Sequence, residues 1–298
     1  MNFSSEKRCM LCPRGCAIDR AETHGACGMT SELVVSRAAP HMWEEPPISG
    51  TRGSGTIFFA GCSLRCVFCQ NRTISHERAG KPMTPDQLAT TMLDLQDAGV
   101  HNVNLVTPTH YADTVAGVLE TVKPRLHIPV VWNTSGYETV DTLRRLEGLV
   151  DIYLPDFKYA SEELAARYSA APDYPTVVTA AIAEMFRQVG KATFDADGVM
   201  TGGMIVRHLV LPGHRSDSMA VLRRIAEILP AEDIRISVMR QYTPDFAMDA
   251  PYKNLHRRVT DFEYASVVAE AERLGLTGYM QGKDAADRAY TPDFNADS

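Results

Sequence analysis

Short apolar runs alternate with helical patterns from about residue 56 onward. The first run is 56–60, and a helix is predicted over 84–98, where Thr84 is a suitable N-cap and Pro85 occupies the first turn. Further strands are predicted at 103–106, 129–132, 151–154, 205–211 and 234–239. Six strands with intervening helices are typical of repeated βα units and a parallel sheet.

Six such units are fewer than the eight of a closed barrel, so we predict an α/β fold, a partial (β/α)6 TIM-like barrel over residues 51–298. A β-hairpin insertion is expected near 192–204. Residues 1–50 have little periodicity and are predicted to form a small cysteine-rich metal-binding cap. We expect no internal repeat beyond the βα alternation, and a frayed acidic tail at 293–298.

The composition restricts the partners. The net charge is -7 and no run of Lys and Arg stands out, so we expect no nucleic-acid binding. The first residues lack the apolar core of a secretory signal, and no segment is apolar for long enough to span a bilayer. We therefore expect a cytoplasmic protein with no membrane contact. All seven cysteines lie between Cys9 and Cys69, and in a reducing compartment such groups indicate metal more often than disulfides.

Three cysteines directly follow the first predicted barrel strand. Cys62, Cys66 and Cys69 have the spacing C-x3-C-x2-C. A cubane iron-sulfur cluster normally takes one thiolate per iron, so three thiolates leave one iron open. The amine and carboxylate of an amino-acid cofactor can chelate that iron, which places a sulfonium beside a low-potential cluster. Because βα barrels carry their active sites in the loops after the strands, the triad predicts a catalytic 4Fe-4S cluster whose open iron binds such an amino-acid cofactor.

Other interpretations of the triad stay open. A zinc knuckle could take its fourth ligand from the segment 9–27, and a plain electron-transfer cluster would also use these thiolates. An electron carrier, however, needs no large cavity at the end of a barrel. Polar residues follow most of the predicted strands, which favours such a cavity and argues against an electron carrier. An aconitase-like hydratase also has an open iron, but its multidomain pattern is not found here.

The loop and several strand ends resemble a known family. The chain resembles the radical S-adenosylmethionine (radical SAM) superfamily, and within it the pyruvate formate-lyase activating enzyme-like, PflX-type branch. The stretches that carry the resemblance are 61–71, 104–111, 133–137, 151–159 and 207–213. The resemblance also includes the segment 9–16, and we take it to cover nearly the full length of the chain.

The resemblance implies roles for residues at the barrel mouth. Phe68 would pack near the adenine of the cofactor, and Asn71 would lie close to the cluster. The family usually has a Gly-Gly-Glu-like stretch for the cofactor amine, and here Thr107 and Thr109 stand in its place. The remaining cofactor-binding residues implied are Asn133, Ser135, Asp156, Lys158 and Arg207. Each of these could instead have a capping or supporting role.

The N-terminal cysteines form a second group. Cys9, Cys12, Cys16 and Cys27 supply four thiolates, which is enough to close a metal site without the triad. Structural zinc and a second 4Fe-4S cluster fit such a site about equally, although Pro13 and the close spacing favour iron and sulfur slightly. A purely structural role also stays open.

The sequence predicts a radical SAM oxidoreductase. A reduced 4Fe-4S cluster would cleave S-adenosylmethionine to methionine and a 5'-deoxyadenosyl radical, which abstracts hydrogen from a substrate. The resemblance implies a glycyl residue of a partner enzyme as substrate, and a reductant such as flavodoxin or ferredoxin. Radical modification of a small molecule or peptide is an equal alternative, because fold does not fix function. A non-catalytic iron-sulfur electron carrier is the alternative outside enzymes.

Overall fold

A computed structural model describes residues 8–282 and Phe294. Apart from Phe294, the expected acidic tail lies outside the described residues. The described strands are β1 (Val34–His41), β2 (Ser54–Phe59), β3 (Lys81–Pro82), β4 (Val103–Val106), β5 (Val130–Thr134), β6 (Ile152–Pro155), β7 (Thr193–Phe194), β8 (Met200–Leu209), β9 (Arg235–Met239) and β10 (Gly278–Met280). The described α-helices are α1 (Pro46–Ser49), α2 (Arg72–Ser75), α3 (Pro85–Asp97), α4 (Ala112–Val122), α5 (Val140–Arg144), α6 (Glu162–Ser169), α7 (Tyr174–Val189), α8 (Arg215–Ile228) and α9 (Asp261–Arg273).

The strands form one mostly parallel sheet in the order β10-β9-β8-β6-β5-β4-β2-β1-β3, and β7 pairs with β8 outside this path. The seven strands from β2 to β10 along this order are parallel to one another. The α/β fold with a partial TIM-like barrel is therefore confirmed. Each of the six predicted strands forms, with small shifts of its ends. The sequence did not reveal β10, a three-residue strand that pairs with β9.

Part of the N-terminal segment belongs to the sheet. β1 pairs antiparallel with β2, with His41 opposite Ser54, so residues 34–41 extend the barrel sheet at one side. The short strand β7 pairs antiparallel with the start of β8 and makes a hairpin that leads into that barrel strand.

The helix α3 forms where the sequence predicts a helix. The Thr84 side chain accepts a hydrogen bond from the Gln87 amide, and the Gln87 side chain accepts one from the Thr84 amide, which makes a capping box. Leu88, Met92 and Leu95 are its buried residues and face the sheet. The helix thus begins at a local polar signal and is held by one apolar face.

Neighbouring residues of a barrel strand face different environments. In β2, Ile57 and Phe59 belong to the large core, together with Leu88 and Met92 of α3. Phe58 lies between them in the sequence and belongs to a separate cluster on the inner side of the sheet. This alternation leaves the inner face free to form a cavity.

Across the described residues, no helix is both long enough and apolar enough to cross a membrane.

A buried carboxylate ties the end of β5 to neighbouring loops. Glu138 is 1% exposed, and its Oε1 accepts hydrogen bonds from Thr109 Oγ1 at 2.7 Å, Thr134 Oγ1 at 2.6 Å and Trp132 Nε1 at 3.1 Å. Burial raises the pKa of this carboxyl, and the three donors partly offset that rise. One side chain therefore satisfies three buried donors.

We expect Glu138→Ala to lower the free energy of unfolding by about 3 kcal/mol, because three buried donors lose their acceptor. Urea unfolding followed by circular dichroism measures this change. Glu120→Ala, at an exposed position of α4, is the control and should stay within about 0.5 kcal/mol of wild type. Similar values for the two variants would show that the network contributes little.

Candidate active site

The three predicted cluster ligands lie in the loop 61–71 after β2, here called the cluster loop. Gly61 begins it with φ of 84°, and a Cβ there would lie 2.3 Å from Met29 Cγ, so only glycine fits. The Gly61 amide donates to the Ile74 carbonyl at 2.8 Å, and the Cys62 amide donates to the Cys27 carbonyl at 3.3 Å. The loop is therefore fixed to α2 on one side and to the N-terminal segment on the other.

Hydroxyl groups contact two of the three thiols. Cys66 Sγ lies 3.0 Å from Ser169 Oγ, and Cys69 Sγ lies 3.2 Å from Ser75 Oγ. Burial, followed by repulsion from neighbouring cysteines, raises the pKa of the Cys62 and Cys69 thiols, while Lys158 acts in the opposite direction. Their thiolates are therefore costly unless a bound cation compensates the charge.

The cluster loop opens onto a cavity of about 800 Å³ inside the barrel. All three cysteines line it. Eight of the nine predicted cofactor-binding residues also line it: Phe68, Asn71, Thr107, Asn133, Ser135, Asp156, Lys158 and Arg207. The parallel strands therefore bring distant segments of the sequence to one cavity, as the barrel architecture predicts.

A charged network crosses this cavity and centres on Arg207 of β8. The Arg207 guanidinium lies 2.9 Å from Asp156 Oδ1 and 3.6 Å from Glu44 Oε2, and it donates to Asn133 Oδ1 at 2.7 Å. Lys158 Nζ lies 2.6 Å from Asp156 Oδ2. Although burial opposes ionisation of Asp156, the two cations outweigh it and hold the pKa of that carboxyl below its usual range.

Glu44 and Glu45 are cavity residues that sequence reasoning missed. They precede α1, in the segment expected to belong to the cap, and both line the cavity. Asn133 Nδ2 donates to Glu44 Oε1 at 3.3 Å. Burial raises the pKa of Glu45 to about 7, although Arg207 acts against that rise. Two adjacent acids before Pro46 were the only signal in the sequence, and nothing local shows that they turn into the barrel.

Thr109 is the predicted cofactor residue that does not line the cavity. It is 1% exposed, and its hydroxyl donates to Glu138 instead. Its neighbour His110 is also buried, with Nε2 2.7 Å from the Ala60 carbonyl, and burial lowers the pKa of this histidine to about 3. The segment after β4 therefore presents Thr107 to the cavity and turns the next residues towards the core.

Thr107 has an unusual backbone conformation. Its φ is 60°, in the left-handed region that a β-branched residue rarely adopts. Its amide donates to the Asn133 carbonyl at 2.8 Å, which continues the pairing between β4 and β5. Backbone strain of this kind is often found at functional sites.

Phe68 lies among aromatic rings beside the cluster loop. Its ring makes edge-to-face contacts with Tyr159, Tyr168 and Tyr242, at centroid distances of 6.5, 6.5 and 6.1 Å. Tyr242 does not line the cavity, and its hydroxyl donates to the Leu255 carbonyl. These rings fix the position of Phe68 at the cavity wall.

The four N-terminal cysteines lie in a segment held by two arginines. Arg14 donates to the carbonyls of Ser63 and Ser169, and Arg20 donates to the carbonyl of His110. A Cβ built on Gly25 would lie 3.4 Å from Cys27 Sγ and 3.7 Å from Cys16 Sγ, so these two sulfurs flank one glycine. All seven cysteines are free thiols.

The donor set fits the predicted cluster. Three thiols without disulfide bonds face one cavity, and in the described part of the chain Asn71 Oδ1 is buried beside them with no hydrogen-bond partner. Among the residues that the structure describes, no three His, Cys, Asp or Glu side chains are grouped to hold a single metal ion. A cubane takes each thiolate on a different iron. Ligation by either cysteine group stays a prediction.

Glu45 provides a pH-dependent test of the cavity. Its folded pKa is raised above the usual 4.5 to about 7, so the stability that it contributes is present below pH 4.5 and lost as pH rises towards 7. Glu45→Gln should therefore gain up to about 3 kcal/mol relative to wild type over that range. Urea unfolding at several pH values measures the difference. Glu163→Gln, at a side chain 74% exposed that pairs with Arg167, is the control and should stay within about 0.5 kcal/mol of wild type. A flat difference for Glu45→Gln would contradict the prediction.

Comparisons with known proteins agree with this geometry. The model of the family described as the radical SAM superfamily matches residues 56–214. The uncharacterized protein MJ0674 of Methanocaldococcus jannaschii is 30% identical over 281 residues, which cover 91% of this chain and 76% of that protein.

A solved structure shows the same fold. SuiB of Streptococcus suis, bound to the precursor peptide SuiA, matches with a TM-score of 0.51 at 12% identity. The match covers 82% of this chain, and the chain spans about half the length of SuiB, 48%. The family match covers the cluster loop and the first five parallel barrel strands in chain order, up to the end of β8. The chain therefore belongs to the radical SAM superfamily.

Proposed function

We propose that the protein uses a 4Fe-4S cluster on Cys62, Cys66 and Cys69 to cleave S-adenosylmethionine reductively and to abstract a hydrogen atom from a polypeptide substrate. The observation that carries the proposal is the group of three free thiols facing a cavity of about 800 Å³. When bound, the cluster and S-adenosylmethionine would supply a 5'-deoxyadenosyl radical. The family membership supports radical chemistry in an enzyme.

The cavity residues suit the cofactor in separate ways. Lys158 places a positive charge near the thiols and favours their ionised form. Arg207 is a suitable partner for a cofactor carboxylate, although it is already shared by Asp156 and Glu44. The ring of Phe68 offers an apolar surface for the adenine.

The cofactor amine requires hydrogen-bond acceptors. Because the family's usual Gly-Gly-Glu-like stretch is absent, other residues must supply them. Thr109 is turned away, so Thr107 remains the residue of that segment at the cavity. The carboxylates of Glu44 and Asp156 also line the cavity and can accept from an ammonium group. We propose these three as candidate partners of the amine.

A polypeptide substrate has two supports. SuiB shares the fold and has been crystallised with a precursor peptide, and the sequence resembles activating enzymes of the PflX type, for which a glycyl residue of a partner enzyme is the expected substrate. A small molecule is the alternative. The reductant, flavodoxin or ferredoxin, and the cytoplasmic location remain proposals, and the grouped free cysteines support a reducing compartment.

We also propose a metal site at Cys9, Cys12, Cys16 and Cys27, either a second 4Fe-4S cluster or zinc. The segment that carries these cysteines contacts the cluster loop directly, because the Cys27 carbonyl accepts from the Cys62 amide. Burial, and then repulsion from other cysteines, raises the pKa of the Cys12 and Cys27 thiols. The proximity suits an electron path between the two sites.

Cleavage of the cofactor tests the first proposal. Anaerobically reconstituted protein with dithionite and S-adenosylmethionine should form 5'-deoxyadenosine, and Cys66→Ala should lower the rate by about 100-fold or more because the cluster loses a ligand. Chromatography of the products measures the rate. Met248→Ala, at a side chain 54% exposed, is the control and should match wild type. If a loaded and reduced wild-type cluster gives no product, an electron carrier becomes the better assignment.

Metal analysis tests the second site. If it holds a cluster, reconstituted wild type should contain about eight irons per chain and the double variant Cys9→Ala/Cys12→Ala about four. If it holds zinc, iron should stay near four in both proteins and zinc should fall in the variant. Unchanged iron and zinc in the variant would show that these cysteines bind no metal.

A further inference from the structure

An aromatic side chain from the C-terminus lies against the wall of the active-site cavity. The rings of Phe294 and Phe58 are in edge-to-face contact, with centroids 5.3 Å apart and an interplanar angle of 75°. Phe294 packs against the cluster formed by Phe58, Ile74 and Val106. These three residues all line the cavity, and we call them the aromatic subsite.

The aromatic subsite is adjacent to the cluster loop. The Ile74 carbonyl accepts from the amide of Gly61, the residue before Cys62. The next residue, Ser75, has its hydroxyl 3.2 Å from Cys69 Sγ. A side chain bound at Ile74 therefore lies beside the loop that carries the cluster ligands, where a substrate must place its reacting atoms.

The two sides of the cavity differ in chemistry. The subsite is apolar, and its members are 3 to 7% exposed with Phe294 packed against them. The charged network of Asp156, Lys158 and Arg207 belongs to other strands. Edge-to-face packing on Phe58 favours an aromatic ring over an aliphatic group of similar area. The subsite therefore selects an aromatic side chain.

The sequence around Phe294 repeats the sequence of a segment that contributes to the cavity. Residues 290–294 read Tyr-Thr-Pro-Asp-Phe, and residues 242–246 have the same five residues in the same order. The expectation that the chain has no internal repeat is therefore wrong. In the first copy, Thr243 and Phe246 line the cavity. In the second copy, Phe294 packs on the aromatic subsite. Phe246 therefore lines the cavity, and Phe294 packs against three residues that line it.

We propose that the aromatic subsite binds an aromatic side chain of a polypeptide substrate, and that Phe294 holds this position in the substrate-free protein. Substrate must then displace the Phe294 ring. The binding of a peptide follows from the subsite alone, whereas its role in turnover rests on the proposed radical reaction.

Because Phe294 is part of the same chain, it competes strongly with a free peptide for the aromatic subsite. An occupant that belongs to the same chain acts at an effective concentration on the order of 1 mM, without any additional contact. The apparent dissociation constant of a free peptide is therefore the intrinsic constant divided by the fraction of time that Phe294 leaves the subsite free. Removal of the Phe294 ring should reveal the intrinsic affinity of the subsite.

Binding of a labelled peptide tests the inference. The probe is a fluorescein-labelled synthetic peptide with the sequence of residues 288–298, and its anisotropy is measured with full-length reconstituted protein. The cluster stays oxidised and S-adenosylmethionine is absent, so the result does not depend on cofactor cleavage. We expect Phe294→Ala to bind the peptide about tenfold tighter than wild type. Phe262→Ala, which removes a phenylalanine 67% exposed outside the cavity lining, should behave as wild type.

A second probe and a second variant distinguish binding at the aromatic subsite from nonspecific binding of the peptide. The same peptide with alanine in place of the phenylalanine should bind Phe294→Ala about tenfold more weakly. Adding Phe58→Leu to Phe294→Ala should weaken binding of the original peptide.

Equal affinities of wild type and Phe294→Ala, equal affinities of the two peptides, or no binding to Phe294→Ala at about 1 mM peptide would each overturn the inference. Cofactor cleavage is measured separately, and its failure would leave the binding result intact.

Discussion

The guanidinium of Arg207 joins three separate parts of the chain inside the barrel. It reaches Asp156 after β6, Asn133 in β5 and Glu44 before α1, all inside the barrel. Charges at such depth are stable only when they are paired, so the loss of one partner leaves another uncompensated. The cavity keeps its shape because these groups have few alternative partners. The position of the segment before α1, and hence one side of the cavity, depends on this pairing.

The barrel could be predicted from the sequence because its signals are local. Each apolar run, such as 103–106, is a strand buried on both faces, and helices such as α3 begin with a capping residue. β10 was missed because three residues carry no periodicity. β1 was missed because its residues Val34–His41 include Arg37 and Pro40 and do not alternate clearly. Its strand character comes from pairing with β2.

The sequence predicted the cavity residues that follow strand ends. It missed or misplaced the residues whose position depends on turns of the chain elsewhere. Residues that follow parallel strands converge by geometry, so Asn133, Asp156 and Arg207 could be named together. Glu44 and Glu45 reach the cavity from a segment outside that rule. Thr109 was misplaced because a left-handed residue, Thr107, reverses the chain just before it. A threonine in the sequence gives no sign that its backbone will adopt this left-handed conformation.

The partial barrel has two sheet edges. In the described part of the chain, the sheet order ends at β10 on one side and at β3 on the other, with three and two residues respectively. β3 covers only Val34 and Val35 of the eight-residue β1, so much of this edge belongs to β1. A long exposed edge strand invites pairing with another molecule and aggregation, but the uncovered part of β1 carries Arg37 and Pro40, a charge and a residue without an amide N–H, which disfavour such pairing. The barrel can therefore stay open at its sheet edges while remaining a poor template for self-association.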